Sequence, residues 1–535
     1  MLTPVRISLF LSIGLIILAL GVFANQWGLD PNPGLGRGRI GLLILGLVTM
    51  LAPWVISRRT QTTRSDLFTL PALLLVIGLY FWTVTLSRDF TSSYYSLLAT
   101  SFRNGELSLP LNPEPELLAL PNPYDPAARQ GIRVPVDLSL YNGKFYLYWG
   151  PAPSALLAVV QPFLPGRIGE FVLLFLFMCG IFLAQYLLIM HLRERFFSRI
   201  PRWIVVLSIF LAGFANPALW MLAQPKIYET AIAGAQFFFF AGLVSAVLAL
   251  DRESPTRWGL ALAGSLWALA VSTRSVALFP VVFMTVMVTC QLYKTYRSSL
   301  LRFMERLLPL GIPLLLGALG FAWYNWARFG SFLETGFTYQ LAAPYLQQHM
   351  HELFMPSYVV QNLYNYVLNP FTVHPSFPFL SAIRGKLEAV SPWPALPDFY
   401  TAQAVTGFLV AVPFLIFAAL PVTLFAKQRR ASTPSESGTA LSLDWIIISL
   451  VGSFLLPFLS LLAFFWAAMR YAEDFMPPLT VLSIIGFWQG YHHLSPVSGR
   501  GKIYVTLGVI LSLISIGSAI LLALSIFYAN GLLGN

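Results

Sequence analysis

Charge is scarce in this chain. Of 535 residues only 10% are Asp, Glu, Lys or Arg, against 57% hydrophobic, and the mean hydropathy is +0.71. Soluble domains carry about 25% charged residues, so the deficit excludes a soluble enzyme, a disordered chain and a basic nucleic-acid binder. Cysteine is nearly absent. Cys179 and Cys290 both sit in apolar stretches, which excludes a disulfide framework and a thiolate metal site. Histidine shows no metal spacing either: His349 and His351 are two apart, His374 stands alone before Pro375, and His492 and His493 are adjacent. The chain has no Gly-rich phosphate loop, and none of its inward-facing loops is long enough to build a nucleotide-binding domain. A nucleotide-driven pump and a nucleotide-sugar donor are thereby disfavoured.

What the chain has in quantity is long apolar runs. A hydrocarbon core about 30 Å thick needs roughly 20 apolar residues per helix. Thirteen spans are expected, near 7–25, 40–57, 67–86, 170–190, 203–222, 229–250, 258–272, 275–292, 307–325, 402–425, 445–466, 475–492 and 503–527. The fold class is therefore an all-α polytopic transmembrane bundle. The first run is expected to be an uncleaved helix, because its apolar core is too long for a signal peptide and another span follows at once. The run 152–164 has 13 residues and suits an interfacial or re-entrant segment.

The net charge of +11 divides unevenly between the alternating loops. The N-terminus and the short loops near 58–66, 191–202, 251–257, 293–306, 426–444 and 493–502 hold 19 Lys+Arg and 7 Asp+Glu. The other loops hold 14 and 15. Short Arg-rich loops stay in the cytoplasm, so the expectation is a multi-pass protein of the plasma (inner) membrane with its N-terminus inside and its C-terminus outside. The long loops 87–169 and 326–401 then face the extracytoplasmic side.

No expected span carries a charged residue deep in its interior, which argues against an ion-coupled transporter. Charges gather instead at the outer helix ends: Arg88 and Asp89, Lys226 and Glu229, Arg274, Arg328 and Glu334, and Arg470, Glu473 and Asp474. A ring of both signs at one interface is what a site handling a lipid phosphate would need, although each residue alone also reads as a snorkelling or capping group. In the first long loop Asp89 is a plausible N-cap for a helix through Tyr94–Ala99 that ends near Asn104-Gly105. A Pro-rich connector follows. Then Asp137 to Trp149 shows two strand-like runs around Asn142-Gly143, a hairpin signal. The loop thus combines interfacial helices with a small hairpin.

This arrangement resembles the GT-C superfamily of polytopic glycosyltransferases, the group that includes protein O-mannosyltransferases and aminoarabinose transferases. The residues that carry the resemblance are Asp89 with the Tyr94–Phe102 helix, Tyr141–Pro153, Ser272-Thr273-Arg274, Tyr324–Gly330 and Met469–Pro477. It covers residues 67–490, with two additional spans in 1–66 and a C-terminal span in 491–535. In two respects the chain departs from the family pattern: those N-terminal spans, and the lack of a second acid beside Asp89. Whether a divalent metal ion takes part stays open.

The resemblance implies a sugar donor carried on a polyprenyl phosphate and transfer to a lipid, polysaccharide or protein acceptor outside the cytoplasm, with the membrane and no nucleic acid as further partner. An acceptor hydroxyl needs a carboxylate to take its proton. Asp89 is the first candidate base and Asp137 the second, with N-cap and turn roles as their structural alternatives. Arg274 is the first candidate for the lipid phosphate, its alternative being a pair with Glu229 or with a bilayer phosphate. Lys226, Arg88, Arg470, Glu229 and Tyr228 complete the donor-binding set, and Tyr471 and Trp149 are expected beside the sugar. The second long loop holds an amphipathic run, Tyr358–Leu368, readable as a lid or as an interfacial helix. Two other functions compete: a lipid-linked saccharide flippase or transporter, and a non-catalytic envelope-assembly subunit.

Overall fold

The computed structural model describes residues 4–32, 36–57, 68–87, 93–135, 137–163, 168–386, 388, 395–431, 441–495 and 497–529. It is mostly helical, and six helices are long and apolar enough to cross a membrane: Glu170–Arg195, Ile227–Leu250, Ser275–Tyr296, Leu300–Phe329, Leu443–Leu462 and Gly499–Ala529. The other expected positions also hold helices, several of them shorter or interrupted.

Burial sorts these helices into layers. Glu170–Arg195 and Ile227–Leu250 pack against each other at the centre, with 83% and 78% of their apolar windows buried. Helix Leu300–Phe329 is only 11% buried and turns Leu315, Leu319 and Trp323 outward. A helix that is apolar all round yet exposed on one flank suits contact with lipid. The two N-terminal helices Pro4–Val22 and Arg37–Ser57 cross closely through Gly14 and Gly46, where a Cβ on Gly14 would stand 2.7 Å from the Gly46 carbonyl oxygen.

Two expected spans are broken. Residues 203–222 form Arg202–Phe214 and Ala218–Leu222, separated at Asn216-Pro217 because proline cannot continue the hydrogen-bond ladder. The Asn216 amide donates to the Ala212 carbonyl (2.8 Å), its oxygen accepts from Ala218 N–H (2.9 Å), and Thr480 donates to the Ala215 carbonyl (3.3 Å). These bonds satisfy backbone groups that the break sets free. The region expected as 402–425 begins as a strand, Thr401–Ala402, paired in parallel with Trp466–Ala467, and becomes helical only from Phe408, with a second break before Pro413. Ser515 and Ser518 of the last helix bond the backbone there, at Phe414 and Ala411.

The described parts of the two long loops follow their sequence signals. The helix Tyr94–Arg103 ends at Asn104. Strands Ser139–Tyr141 and Lys144–Tyr146 pair antiparallel with Tyr141 opposite Lys144, and Asn142 (φ 49°) and Gly143 (φ 70°) supply the left-handed turn that a two-residue hairpin requires. The short apolar run becomes a nine-residue helix, Ala152–Val160, far too short to cross. It packs on Tyr94–Arg103.

The helix Tyr358–Val367 inverts the usual arrangement. It buries Gln361, Asn362 and Asn365 between Tyr358 and Tyr366 and exposes Val360 and Leu363. Asn362 donates to the carbonyls of Leu461 (3.2 Å), Leu462 (2.9 Å) and Phe464 (2.7 Å), so this loop helix caps the end of Leu443–Leu462.

Candidate functional site

The two long loops are sewn together over one end of the bundle. Arg129, on the first loop, donates to the carbonyls of Leu341 (3.3 Å) and Ala342 (2.6 Å) on the second. Ser139 donates to the Gly336 carbonyl (2.7 Å), and Leu341 N–H to the Leu138 carbonyl (2.8 Å). Arg328, a charge-ring residue, serves this architecture. Its guanidinium is buried, lies over Tyr324 at 3.8 Å and donates to the Leu147 carbonyl (2.7 Å), which holds the hairpin to the last turn of Leu300–Phe329. Glu334 accepts from Gly336 N–H (2.6 Å) and the Thr338 hydroxyl (2.7 Å), shaping the turn beside it.

Beneath this cover lies a cavity of about 460 Å³. It brings together Asp137, Lys226, Tyr228, Glu229 and Arg470, five of the eight residues expected to act as base or to bind the donor. Gln340, Gln403, Tyr148, Trp220 and Tyr471 also line it, and of these only Tyr471 was singled out by sequence.

Each charged group has a distinct setting. Asp137 sits in a left-handed backbone conformation (φ 63°) and accepts a bond from the Gln340 amide (3.0 Å). Burial pushes its carboxyl up to about 6, opposed by the Gln340 bond and by Arg470 and Arg129. Arg470 is buried and donates to the Gln403 oxygen (2.6 Å). Its guanidinium lies 4.8 Å from the Tyr228 ring and 5.1 Å from the Tyr471 ring, and 4.0 Å from Glu229. Glu229 occupies the first turn of its helix, where the dipole favours an anion, and its second oxygen is buried without a hydrogen-bond partner. Lys226 is exposed to the cavity and makes no ion pair among the described residues. Trp149 meets Tyr228 edge-on at 5.2 Å.

Arg274 takes a different place from the one expected. It does not line the cavity and pairs with Asp474 (3.0 Å) rather than with Glu229, while Glu229 faces Arg470. Its guanidinium lies 5.2 Å from the Tyr471 ring, so one tyrosine separates two fixed cations. The segment before Arg274 is held by the hairpin's exit: Gly150 N–H donates to the Thr273 carbonyl and Ala152 N–H to the Ser272 carbonyl, both at 3.1 Å. Asp474 is pushed up to about 6 by burial, with Arg274 opposing, and burial raises the neighbouring Glu473 carboxyl well above the usual range, with Asp474 adding to it.

Arg88 and Asp89 lie outside the described residues. The N-cap position expected for Asp89 belongs to Ser93, and the Glu170 carboxylate accepts the N–H groups of Ser93 and Tyr95 (the latter 3.2 Å) at the start of that helix. Glu170 is 75 residues from Tyr95, and only tertiary contact reveals the pairing. Among the described residues no three His, Cys, Asp or Glu side chains gather in metal-ligand geometry.

No family model, curated protein or solved structure matches this chain.

Proposed function

We propose that this is an integral membrane glycosyltransferase that moves a sugar from a polyprenyl-phosphate carrier to an acceptor hydroxyl on the extracytoplasmic face, within a bundle of about 13 spans whose N-terminus is cytoplasmic. One observation carries the reading: a cavity roofed by both long loops sets a buried carboxylate, Asp137, opposite a fixed guanidinium, Arg470, and a free ammonium, Lys226, with aromatic rings between. Saccharides stack on such rings, and Arg binds phosphate oxygens through paired N–H donors.

In this scheme the acceptor oxygen attacks the anomeric carbon and the bond from that carbon to the phosphate oxygen breaks. The acceptor proton passes to a carboxylate, and the electron pair leaves on the lipid phosphate, where Arg470 and Lys226 stabilise the added charge. Asp137 suits the base because Gln340 engages one of its oxygens and its pKa of about 6 leaves it ionised at pH 7. Glu229 holds Arg470 in place, and Arg274 with Asp474 positions Tyr471 from behind. Asp89 is retained as the alternative base on the strength of the family resemblance alone. A transporter is disfavoured because no expected span carries a charged residue deep in its interior, as a path through the bundle would need.

The test compares Asp137→Asn, Asp89→Asn and wild type, at equal membrane expression, for release of radiolabelled sugar from a polyprenyl-phosphate sugar in membranes. Loss in Asp137→Asn alone supports the assignment, whereas loss in Asp89→Asn alone moves the base to Asp89. Full activity in both sinks the carboxylate mechanism. A cysteine at the exposed Asn142 should react with an impermeant thiol reagent from outside. Protection there would invert the topology.

A further inference from the structure

The opposite end of the bundle carries a second cavity, of about 510 Å³. Helix Met476–His493 begins beside Arg470 and Asp474 and ends at this cavity, and its 18 residues span about 27 Å, so the two cavities are separate. Phe197, Ser198, Arg199, Gln489, His492 and His493 supply most of its lining, and no carboxylate contributes.

The polar groups here are uncommitted. Arg199 forms neither an ion pair nor a hydrogen bond among the described residues, whereas the nearby Arg195 is engaged by Asp251 at 3.4 Å. Gln489 lines the cavity from the helix Met476–His493, and its buried amide oxygen has no hydrogen-bond partner among the described residues. The His492 ring is held against Phe197 (5.9 Å, 28°), and Phe197 in turn meets Trp488 edge-on at 5.4 Å. The cavity thus combines a guanidinium fork, two imidazoles and an amide along an aromatic wall, with a volume in the range of small-ligand pockets.

We propose that this cavity binds a phosphate group. A tetrahedral oxyanion offers three or four acceptor oxygens to the N–H donors gathered here, and no carboxylate competes for them. At a helix end that meets the membrane surface, the phosphate can come from an anionic lipid headgroup or from a soluble phosphate. The chemistry is shared, and the site is independent of the transfer reaction proposed above.

Carbethoxylation of histidine by diethyl pyrocarbonate, read by peptide mass spectrometry, tests it on the full chain in maltoside micelles, which contain no phosphate. His351, 75% exposed in its side chain and on a distant loop, serves as the internal reference. Addition of phosphatidic acid or of inorganic phosphate should slow modification of His492 and His493 at least fivefold relative to His351, and Arg199→Gln should abolish the protection. Protection by phosphatidic acid alone assigns a lipid headgroup, and protection by inorganic phosphate assigns a soluble anion. No protection from either, equal protection from chloride at matched ionic strength, or protection that persists in Arg199→Gln would overturn the proposal.

Discussion

Replacing Gly150 by alanine tests how the first long loop governs the cation layer behind the cavity. A Cβ at Gly150 would stand 2.6 Å from the Ser272 carbonyl carbon and 2.9 Å from that of Thr273, and closer still to the Ser272 oxygen. These are backbone atoms with no rotamer to yield, so the contact must open by about 1 Å. Opening it breaks the bonds from Gly150 and Ala152 N–H to the Thr273 and Ser272 carbonyls. Two such bonds contribute about 1–3 kcal/mol together, and overpacking costs about 1–3 kcal/mol more. Arg274, the next residue, shifts with its backbone, and a displacement near 1 Å costs about 100-fold where catalytic groups must align. The assay is thermal unfolding in detergent beside hydrogen exchange at the Ala152 amide, with Gly78→Ala as comparator. Gly78 has nothing within 4 Å of its Cβ position in the helix Leu70–Leu86, so that change should be neutral or stabilising. Gly150→Ala should melt lower and exchange faster. A variant indistinguishable from Gly78→Ala on both measures would refute the seating of the loop on Ser272-Thr273.

Three further outcomes are expected. Asp474→Asn leaves the half-buried Arg274 without its carboxylate and should destabilise by about 1–3 kcal/mol, while Arg274→Gln/Asp474→Asn should recover much of this. A double-mutant cycle by denaturant or thermal melting with no coupling between the two would contradict the pair. Sugar transfer should fall about tenfold per pH unit below about 6, since the Asp137 base works only when deprotonated and its carboxyl is pushed up to about 6. A flat profile down to pH 4.5 would remove Asp137 from that role. Asn362→Ala strips the donor from three helix-end carbonyls and the acceptor from the Tyr400 hydroxyl (2.7 Å), and a loss of about 1–3 kcal/mol is expected on melting. An unchanged melting temperature would show that the loop helix does not cap Leu443–Leu462.

Local signals in the sequence were sound guides to local structure. Asn142-Gly143 demanded its hairpin because few other dipeptides accept the left-handed turn, and the apolar run after Pro151 was too short for a full crossing and forms a nine-residue helix. The helix from Tyr94 ended where Asn104-Gly105 said it would, yet its amides are capped by Glu170, a carboxylate that sequence proximity could not point to. The inverted face of Tyr358–Val367 illustrates the same limit. Periodicity identifies two faces but not which one meets the protein, and here the polar face is buried because it caps another helix.

Composition alone determined that this protein lies in the membrane, because so many apolar residues with so little charge cannot stay in water. The sequence also determined that charged residues lie outside the interiors of the expected spans, since charge inside hydrocarbon is too costly. Which of the charged residues lie together was decided only by the tertiary structure. Asp137, Glu229 and Arg470 come from three distant parts of the chain, and Arg274, the most conspicuous cation by sequence, pairs instead with Asp474, 200 residues away. A hydrogen-bonded ion pair needs its two groups in direct contact, as Arg274 and Asp474 are at 3.0 Å, so its partners are set by how helices and loops pack, which one-dimensional spacing does not encode.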